Sequence, residues 1–295
     1  MDSIVVGVDE SAGAGAALRW AAEERAVHDC TLTAVLCWTY LEQHRPQPDQ
    51  PFDPAYGDEQ AAHALDAIVE QVLGDGADEA ARHTVNDRTS RGLLEASAQA
   101  DLLVLGARGL GGLRGMLLGS VTRQCLHHSS VPVAVIHHDP ADESSLDPLR
   151  PGGDNRIVVG VDGSETSGRA LSWSIEEARR RHARVVAVHA WVPPYVGAEL
   201  VPAVAYEATE YERHGRNTLD AAIDAVDTSA LDEPVERRVV SDSPAKALLA
   251  AADGADLLVV GSRGKGGFKG LLLGSISHHV THHAPCPVVS LPHVR

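Results

Sequence analysis

A chain of 295 residues has the length of two domains of about 150 residues each. Apolar residues make up 44% and aromatic ones only 4%, so proper cores are possible but Ala, Val and Leu must fill them. The net charge of −16 leaves no basic stripe to displace counterions from phosphates and disfavours acidic membrane surfaces, which argues against nucleic-acid and membrane partners. No apolar run of about 18 residues occurs, and MDSIVVGVD reads as a strand rather than a leader, so a cytoplasmic location is expected. Cys30, Cys37, Cys125 and Cys286 form no C-x-x-C pair and read as reduced, mostly core thiols.

The predicted elements alternate strand and helix. The run IVVGV from Ile4 is continuously apolar, as a strand covered on both faces must be. Residues 14–27 place Ala17, Leu18, Ala21, Ala22 and Arg25 at helical spacing, with Trp20 as core packing. Leu32–Cys37 is a second strand. After a Pro- and Gln-rich loop, Ala61, Leu65, Ile68, Val69 and Val72 form the stripe of a second helix. A weak third strand near 81–86 precedes a helix over 90–100. Leu102–Leu105 is a fourth strand, Ser120 opens a fourth helix, and Val131–Ile136 is a fifth strand.

The stretch Asp139–Asn155 is polar and rich in Pro and Gly, and reads as a linker. Beyond it the pattern restarts. IVVGVD at Ile4–Asp9 recurs letter for letter at Ile157–Asp162, Ala17-Leu18-Arg19-Trp20 returns as Ala170-Leu171-Ser172-Trp173, and Val131-Pro132-Val133 as Cys286-Pro287-Val288. Ser243-Pro244 supplies an N-cap and a first-turn proline for the third helix of the second copy. The domains are therefore placed at 1–139 and 155–295, with residues 140–154 between them. Alternating elements with buried strands imply a doubly wound parallel sheet, whose ligands bind at the carboxyl ends of the strands beside the switch in strand order.

The strongest repeat is glycine-rich. Residues 101–121 read DLLVLGARGLGGLRGMLLGSV and residues 256–276 read DLLVVGSRGKGGFKGLLLGSI, identical at 14 of 21 positions. Each copy runs from a strand through glycines to Gly-Ser at a helix start, the order of parts that turns free backbone N–H groups toward a phosphate. Gly106, Gly109, Gly111, Gly112 and Gly115 keep side chains out of the way and can take φ > 0. Gly119-Ser120 then begins a helix whose first N–H groups and positive dipole end favour an anion, with Ser120 able to cap it or donate to a phosphate. Arg108 and Arg114 add positive charge, as do Arg263, Lys265 and Lys269 in the second copy. Two of the three lysines in the chain lie in this loop. A lone G-x-x-G serves mostly tight turns, but six glycines, a helix start and cations kept twice favour a phosphate site per repeat. Neither copy is a Walker A loop, and no G-x-G-x-x-G follows the first strand. Asp9 and Asp162 stand there instead, as a hydrogen-bond partner for a nucleoside or as an N-cap, a role for which Ser11 and Ser164 compete.

These residues resemble the universal stress protein family: GVD-x-S after the first strand, G-x-x-G-x9-G-[ST] after the fourth, and V-P-V or C-P-V in the fifth. The likeness covers nearly the whole chain outside the linker, in the tandem form of the branch that binds ATP. It implies two α/β, Rossmann-like (adenine nucleotide alpha hydrolase-like) domains, each a five-stranded parallel sheet of order 3-2-1-4-5 with helices on both faces. It implies ATP, with or without Mg2+, in each copy. Carried over by position, Gly7, Val8 and Asp9 contact the nucleoside. Gly106, Ala107, Arg108, Gly109, Leu110, Gly111 and Gly112, with Gly119, Ser120 and Val121, hold ribose and phosphates. The matching positions are Gly160, Val161 and Asp162, then Gly261, Ser262, Arg263, Gly264, Lys265, Gly266 and Gly267, then Gly274, Ser275 and Ile276. It also implies self-association through the fifth strands. Ala14 stands where the second copy has Ser167, so the starts of the two first helices differ.

The histidines at 127, 128, 137, 138, 278, 279, 282 and 283 are conspicuous. His278/His282 and His279/His283 have helical i,i+4 spacing, yet Arg123 and Gln124 stand at the matching places of the first copy. They read as a solvated face, with no metal site assigned. Arg179-Arg180-Arg181 suits a helix C-terminus. Three functions are compatible with these residues. A regulatory stress-response protein would respond to ATP through conformation or an unidentified protein partner. A slow ATPase or phosphotransferase would need placed metal ligands, and no repeated residue beside the loop supplies them apart from Asp9 and Asp162. A nucleotide-free interaction module would use its glycines for structure alone. The first is expected, without a dedicated catalytic role.

Overall fold

A computed structural model describes residues 1–43, 52–109, 118–138, 154–192, 201–265 and 273–293, and only the backbone of 201–208. The linker expected at 140–154 lies outside these residues except for Asp154. So do Leu110, Gly111, Gly112, Arg114 and Gly115 of the first glycine segment and Gly266, Gly267 and Lys269 of the second. The chain divides into two compact units, Met1–Pro151 and Gly152–Arg295.

Unit 1 runs β1 (Ser3–Gly7), α1 (Ala12–His28), β2 (Thr31–Trp38), α2 (Asp58–Leu73), a 3-10 turn, β3 (Ala80–Asn86), α3 (Thr89–Ala96), β4 (Leu102–Gly106), α4 (Ser120–His128) and β5 (Val133–Ile136). The strands pair in parallel in the order β3-β2-β1-β4-β5. Helices packed on both faces leave the central strands no polar side: Ile4, Val6, Leu102, Leu103 and Val104 are fully buried, without alternation. The helix expected over 90–100 ends at Ala96, because the Ser97 hydroxyl donates to the Leu93 carbonyl and the Ala100 N–H to the Ser97 carbonyl. The fifth strand begins at Val133 rather than 131: Pro132 has no N–H to give the ladder, though its carbonyl accepts from Leu103.

Unit 2 repeats this with β6 (Arg156–Gly160), α5 (Glu165–Arg181), β7 (Arg184–Trp191), α6 (Val201–Asp224), β8 (Glu236–Ser241), α7 (Pro244–Ala251), β9 (Leu257–Gly261), α8 (Ser275–His283) and β10 (Val288–Leu291). Its order, β10-β9-β6-β7-β8, is again 3-2-1-4-5 counted within the unit, and every pairing is parallel. The first helices of the two units start and stop alike. Ser11 and Ser164 accept from the backbone N–H groups of Ala14 and Ser167 at 3.1 and 3.2 Å. Asp29 and His182 end the helices in the left-handed region, at φ 50 and 54. Arg179 and Arg181 pair back with Glu176 and Glu177 in the last turns of α5.

No disulfide joins any of the four cysteines; Cys37, Cys125 and Cys286 are buried and Cys30 is partly so. Burial pushes the Cys37 and Cys125 thiols up to about 12, helped by Asp87 beside the first and by Cys37 beside the second. Trp20 is buried, as expected, whereas Trp173 at the matching place is only partly so. Among the described residues no helix is long and apolar enough to cross a membrane.

Candidate functional site: the carboxyl ends of the central strands

In each unit β1 or β6 lies at the centre, with the second strand on one side and the fourth on the other, so the crossovers leave in opposite directions. The crevice opens where they part. The chain stays in the sheet one residue beyond Gly7 and Gly160: the N–H groups of Val8 and Val161 reach the carbonyls of Val35 and Val188 at 3.0 and 2.9 Å. The strand-end aspartates follow at once. Neither caps the helix, since Ser11 and Ser164 do. Each carboxylate instead accepts from the N–H two residues on, Ser11 or Ser164, at 2.9 Å.

The glycines answer to close approach. A Cβ on Gly106 would lie 2.6 Å from the carbonyl carbon of Gly13, so the start of α1 rests on the backbone that leaves β4. A Cβ on Gly109 would lie 2.6 Å from Asp9 Oδ2, and one on Gly264 would collide with Asp162 Oδ2. Gly109 and Gly264 do not have positive φ, so the conformational freedom expected of them is not the reason for glycine there. The strand-end carboxylate fills the space where a side chain would go. In unit 2 the contact is a hydrogen bond, Lys265 N–H to Asp162 Oδ2 at 2.8 Å. Burial opposes the charge on Asp162. Hydrogen bonds from Ser164, from the Lys265 backbone and from Ser167 outweigh it, and hold the carboxyl below its ordinary range.

The fourth helix begins in the same way twice. Gly119 and Gly274 occupy the N-cap position, with no side-chain cap bond, and their own N–H groups fold back to the carbonyls of Ala107 and Ser262 at 2.7 Å. Ser120 and Ser275 are thus the first helical residues, not the caps that the sequence allowed. In unit 2 the first turn of α8 lines the crevice through Ile276 and Ser277, so its uncapped donors and positive dipole end lie beside it, as an anion site requires. Two hydroxyls that the sequence did not single out fix it. Thr122 donates to the Gly106 carbonyl at 2.8 Å and Ser277 to the Gly261 carbonyl at 2.5 Å. Their signal is a hydroxyl residue at the third helical position in both copies.

In unit 2 these parts line a half-open cleft with a cavity volume of about 100 Å³. Sequence-predicted residues Gly160, Val161, Asp162, Gly261, Arg263, Gly264 and Ile276 line it. They are joined by Val188 and Ala190 from the end of β7, by Pro244 and Leu248 of α7, and by Ser167. The mix of apolar wall and few polar groups is that of a small-molecule site. The β7 and α7 residues carry no motif, and only the strand order brings them here. Arg263 lines the cavity with its Nε buried and lacking a hydrogen-bond partner among the described groups, a donor suited to an anion. Of the other predicted positions, Val8, Ala107 and Ser262 are buried in the strand ends, and Val121 lies in the first turn of α4 beside Ser120.

The model of the universal stress protein family matches residues 1–137 and again 155–292. The chain belongs to this family. A universal stress protein of Mycolicibacterium smegmatis is 36% identical over 301 residues, covering 97% of this chain and 95% of that protein. Universal stress protein Rv2623 of Mycobacterium tuberculosis is 33% identical over 291 residues, with the same shares covered. Among solved structures, a universal stress protein of Archaeoglobus fulgidus aligns over 98% of both chains with a TM-score of 0.58 at 20% identity. A Pseudomonas aeruginosa protein described as functionally unknown covers 99% of this chain and 93% of its own, at 0.64 and 16%. These two likenesses speak to the fold of this universal stress protein alone.

Proposed function

We propose that this universal stress protein binds ATP, one molecule in each unit, and acts as a non-catalytic regulator through ATP-dependent conformation or partner affinity. The observation that carries this is the unit 2 cavity, where an apolar wall meets a helix start whose cap position is a glycine and a buried arginine Nε–H without a partner among the described groups. An adenosine needs the first surface and a phosphate chain the other two groups. Gly160, Val161 and Asp162 would hold the nucleoside, with Val188 and Ala190 beside it. Gly261 to Gly267 and Gly274 to Ile276 would hold the phosphates, as Gly106 to Gly112 and Gly119 to Val121 would in unit 1. Bound ATP would supply negative charge beside the loop cations Arg108, Arg263 and Lys265, with or without Mg2+.

The carboxylates support regulation over catalysis. Asp162 accepts a backbone N–H on each oxygen, and such bonds hold its carboxyl below the ordinary range, which makes it a fastener between the first-strand turn and the glycine loop and a weak base toward an attacking water. Ligand at the loop would therefore be felt at the turn before α5, a route to altered surface or self-association through the fifth strands. The test is to denature the purified protein, then identify and count the released nucleotide. About two ATP per chain is the expected result. No nucleotide, and none bound on later titration, would leave an interaction module. ADP alone would reopen hydrolysis.

A further inference from the structure

Helix α8 carries a feature that nucleotide binding leaves unused. Its sequence, SISHHVTHH, packs Val280, Ser277 and Thr281 inward, while His278, His279 and His283 are exposed and His282 partly so. Residues four apart are neighbours along a helix, so the four imidazoles stand in two adjacent rows. The ring centroids of His278 and His282 are 4.3 Å apart and those of His279 and His283 are 4.6 Å apart. The rows stand side by side, with His282 and His283 6.2 Å apart.

We propose that this face binds late first-row divalent cations (Cu2+, Ni2+ or Zn2+), each i,i+4 pair giving two imidazole nitrogens to one ion. Imidazole nitrogens bind such ions at about 2.0–2.1 Å, so two on one ion lie roughly 3 Å apart. The centroid separations are of that order on a backbone already set by the helix, and His282 would coordinate through Nδ1, its Nε2 being buried. The donors are all nitrogen, with no carboxylate or thiolate in the helix, which selects these ions over Mg2+ and Ca2+. Water completes each coordination shell, so the site is open to further ligands. The fourth helix of unit 1 is an internal contrast: Arg123 and Gln124 replace His278 and His279. That leaves His127 and His128 adjacent in sequence, with centroids 6.3 Å apart.

The test is calorimetric titration of the full, tag-free chain with Cu2+, Ni2+, Zn2+ and Mg2+. Saturable binding of the first three, tightest for Cu2+, and none of Mg2+ is expected. Replacing His278 and His282 by Ala, or His279 and His283 by Ala, should each remove about one equivalent, and replacing all four should remove about two. On the unaltered chain, Zn2+ should shift the NMR ring signals of these four histidines ahead of all others. No binding at millimolar metal, wild-type binding by the fourfold variant, or shifts confined to other histidines would overturn the proposal.

Discussion

The two units share the letters IVVGVD at the end of the first strand and then seat the next helix by different means. In unit 1 the contact is backbone on backbone, with Gly106 against the carbonyl of Gly13. In unit 2 the place of Gly13 is taken by Thr166, whose Cγ2 would lie 2.8 Å from a Cβ on Gly261. One approach, set by the parallel sheet, is met by two chemistries. The consequences reach the cleft. Unit 2 gains the Ser167 hydroxyl where unit 1 has Ala14, and it turns after its aspartate through Gly163 at φ +76 where unit 1 has Glu10. Lys265 Nζ stands 2.7 Å from the place of a Gly163 side chain. The His189 ring also faces the Val161 carbonyl at 2.8 Å, a position held by Leu36 in unit 1. Tandem copies can thus keep a fold while placing different polar groups around the same crevice.

The sharpest way to break this comparison is to add a methyl to each strand-end glycine. In Gly106→Ala the new group overlaps the Gly13 backbone, which no rotamer relieves, so a loss of about 1–3 kcal/mol or more is expected. Gly261→Ala meets mainly the Thr166 side chain and should cost less, with Thr166→Ala recovering part of it. Urea melts of the wild type and these variants decide this. Equal costs at 106 and 261 would show that the two seats do not differ.

A second test separates the two loops. Gly264→Ala drives a methyl into the carboxylate that fastens the loop, so ATP affinity in unit 2 should fall at least about tenfold, or 1.4 kcal/mol. Gly109→Ala should act likewise in unit 1 only. Titration of each variant with ATP reads the sites separately, and unchanged affinity with both substitutions present would show that the carboxylate does not fasten the loop.

The smallest effect is a pH dependence. A carboxyl whose folded value is depressed stabilises fully above its unfolded value, about 3.9, and loses that stabilisation as pH falls through the folded one. Asp162 should therefore leave stability flat between about pH 5 and 8 and contribute to acid unfolding only below about pH 4. Asp162→Asn should remove that acid-side component while changing the neutral melting temperature by a few degrees at most. A transition near neutrality that vanishes in the variant would contradict the assignment.

Much of this architecture is legible in the order of residues. Continuous apolar runs mark the strands, Ser11 and Ser164 stand as rivals to the aspartates for the caps, and the duplicated glycine segment points to the crevice. The reasons for two of its features differ from those the letters suggest. Gly109 and Gly264 suit positive φ by type but keep space for a carboxylate, and Ser120 suits a cap by type but follows one. Thr122, Ser277, Val188 and Leu248 belong to no motif, because their roles depend on the carbonyls and strand ends brought against them by the sheet.

The division has a physical cause. Hydrophobic period, caps and turn glycines act within a few residues, so the order of amino acids alone specifies the alternating elements, the repeat and the anion-seeking loop. The bond from Lys265 to Asp162 spans 103 residues, and the contact of Gly106 with Gly13 likewise joins the end of the fourth strand to the start of the first helix. Nothing local encodes such meetings. They arise because parallel pairing sets the first and fourth strands side by side and brings their carboxyl ends together. Only in the folded sheet do the glycines and the aspartates meet and explain one another.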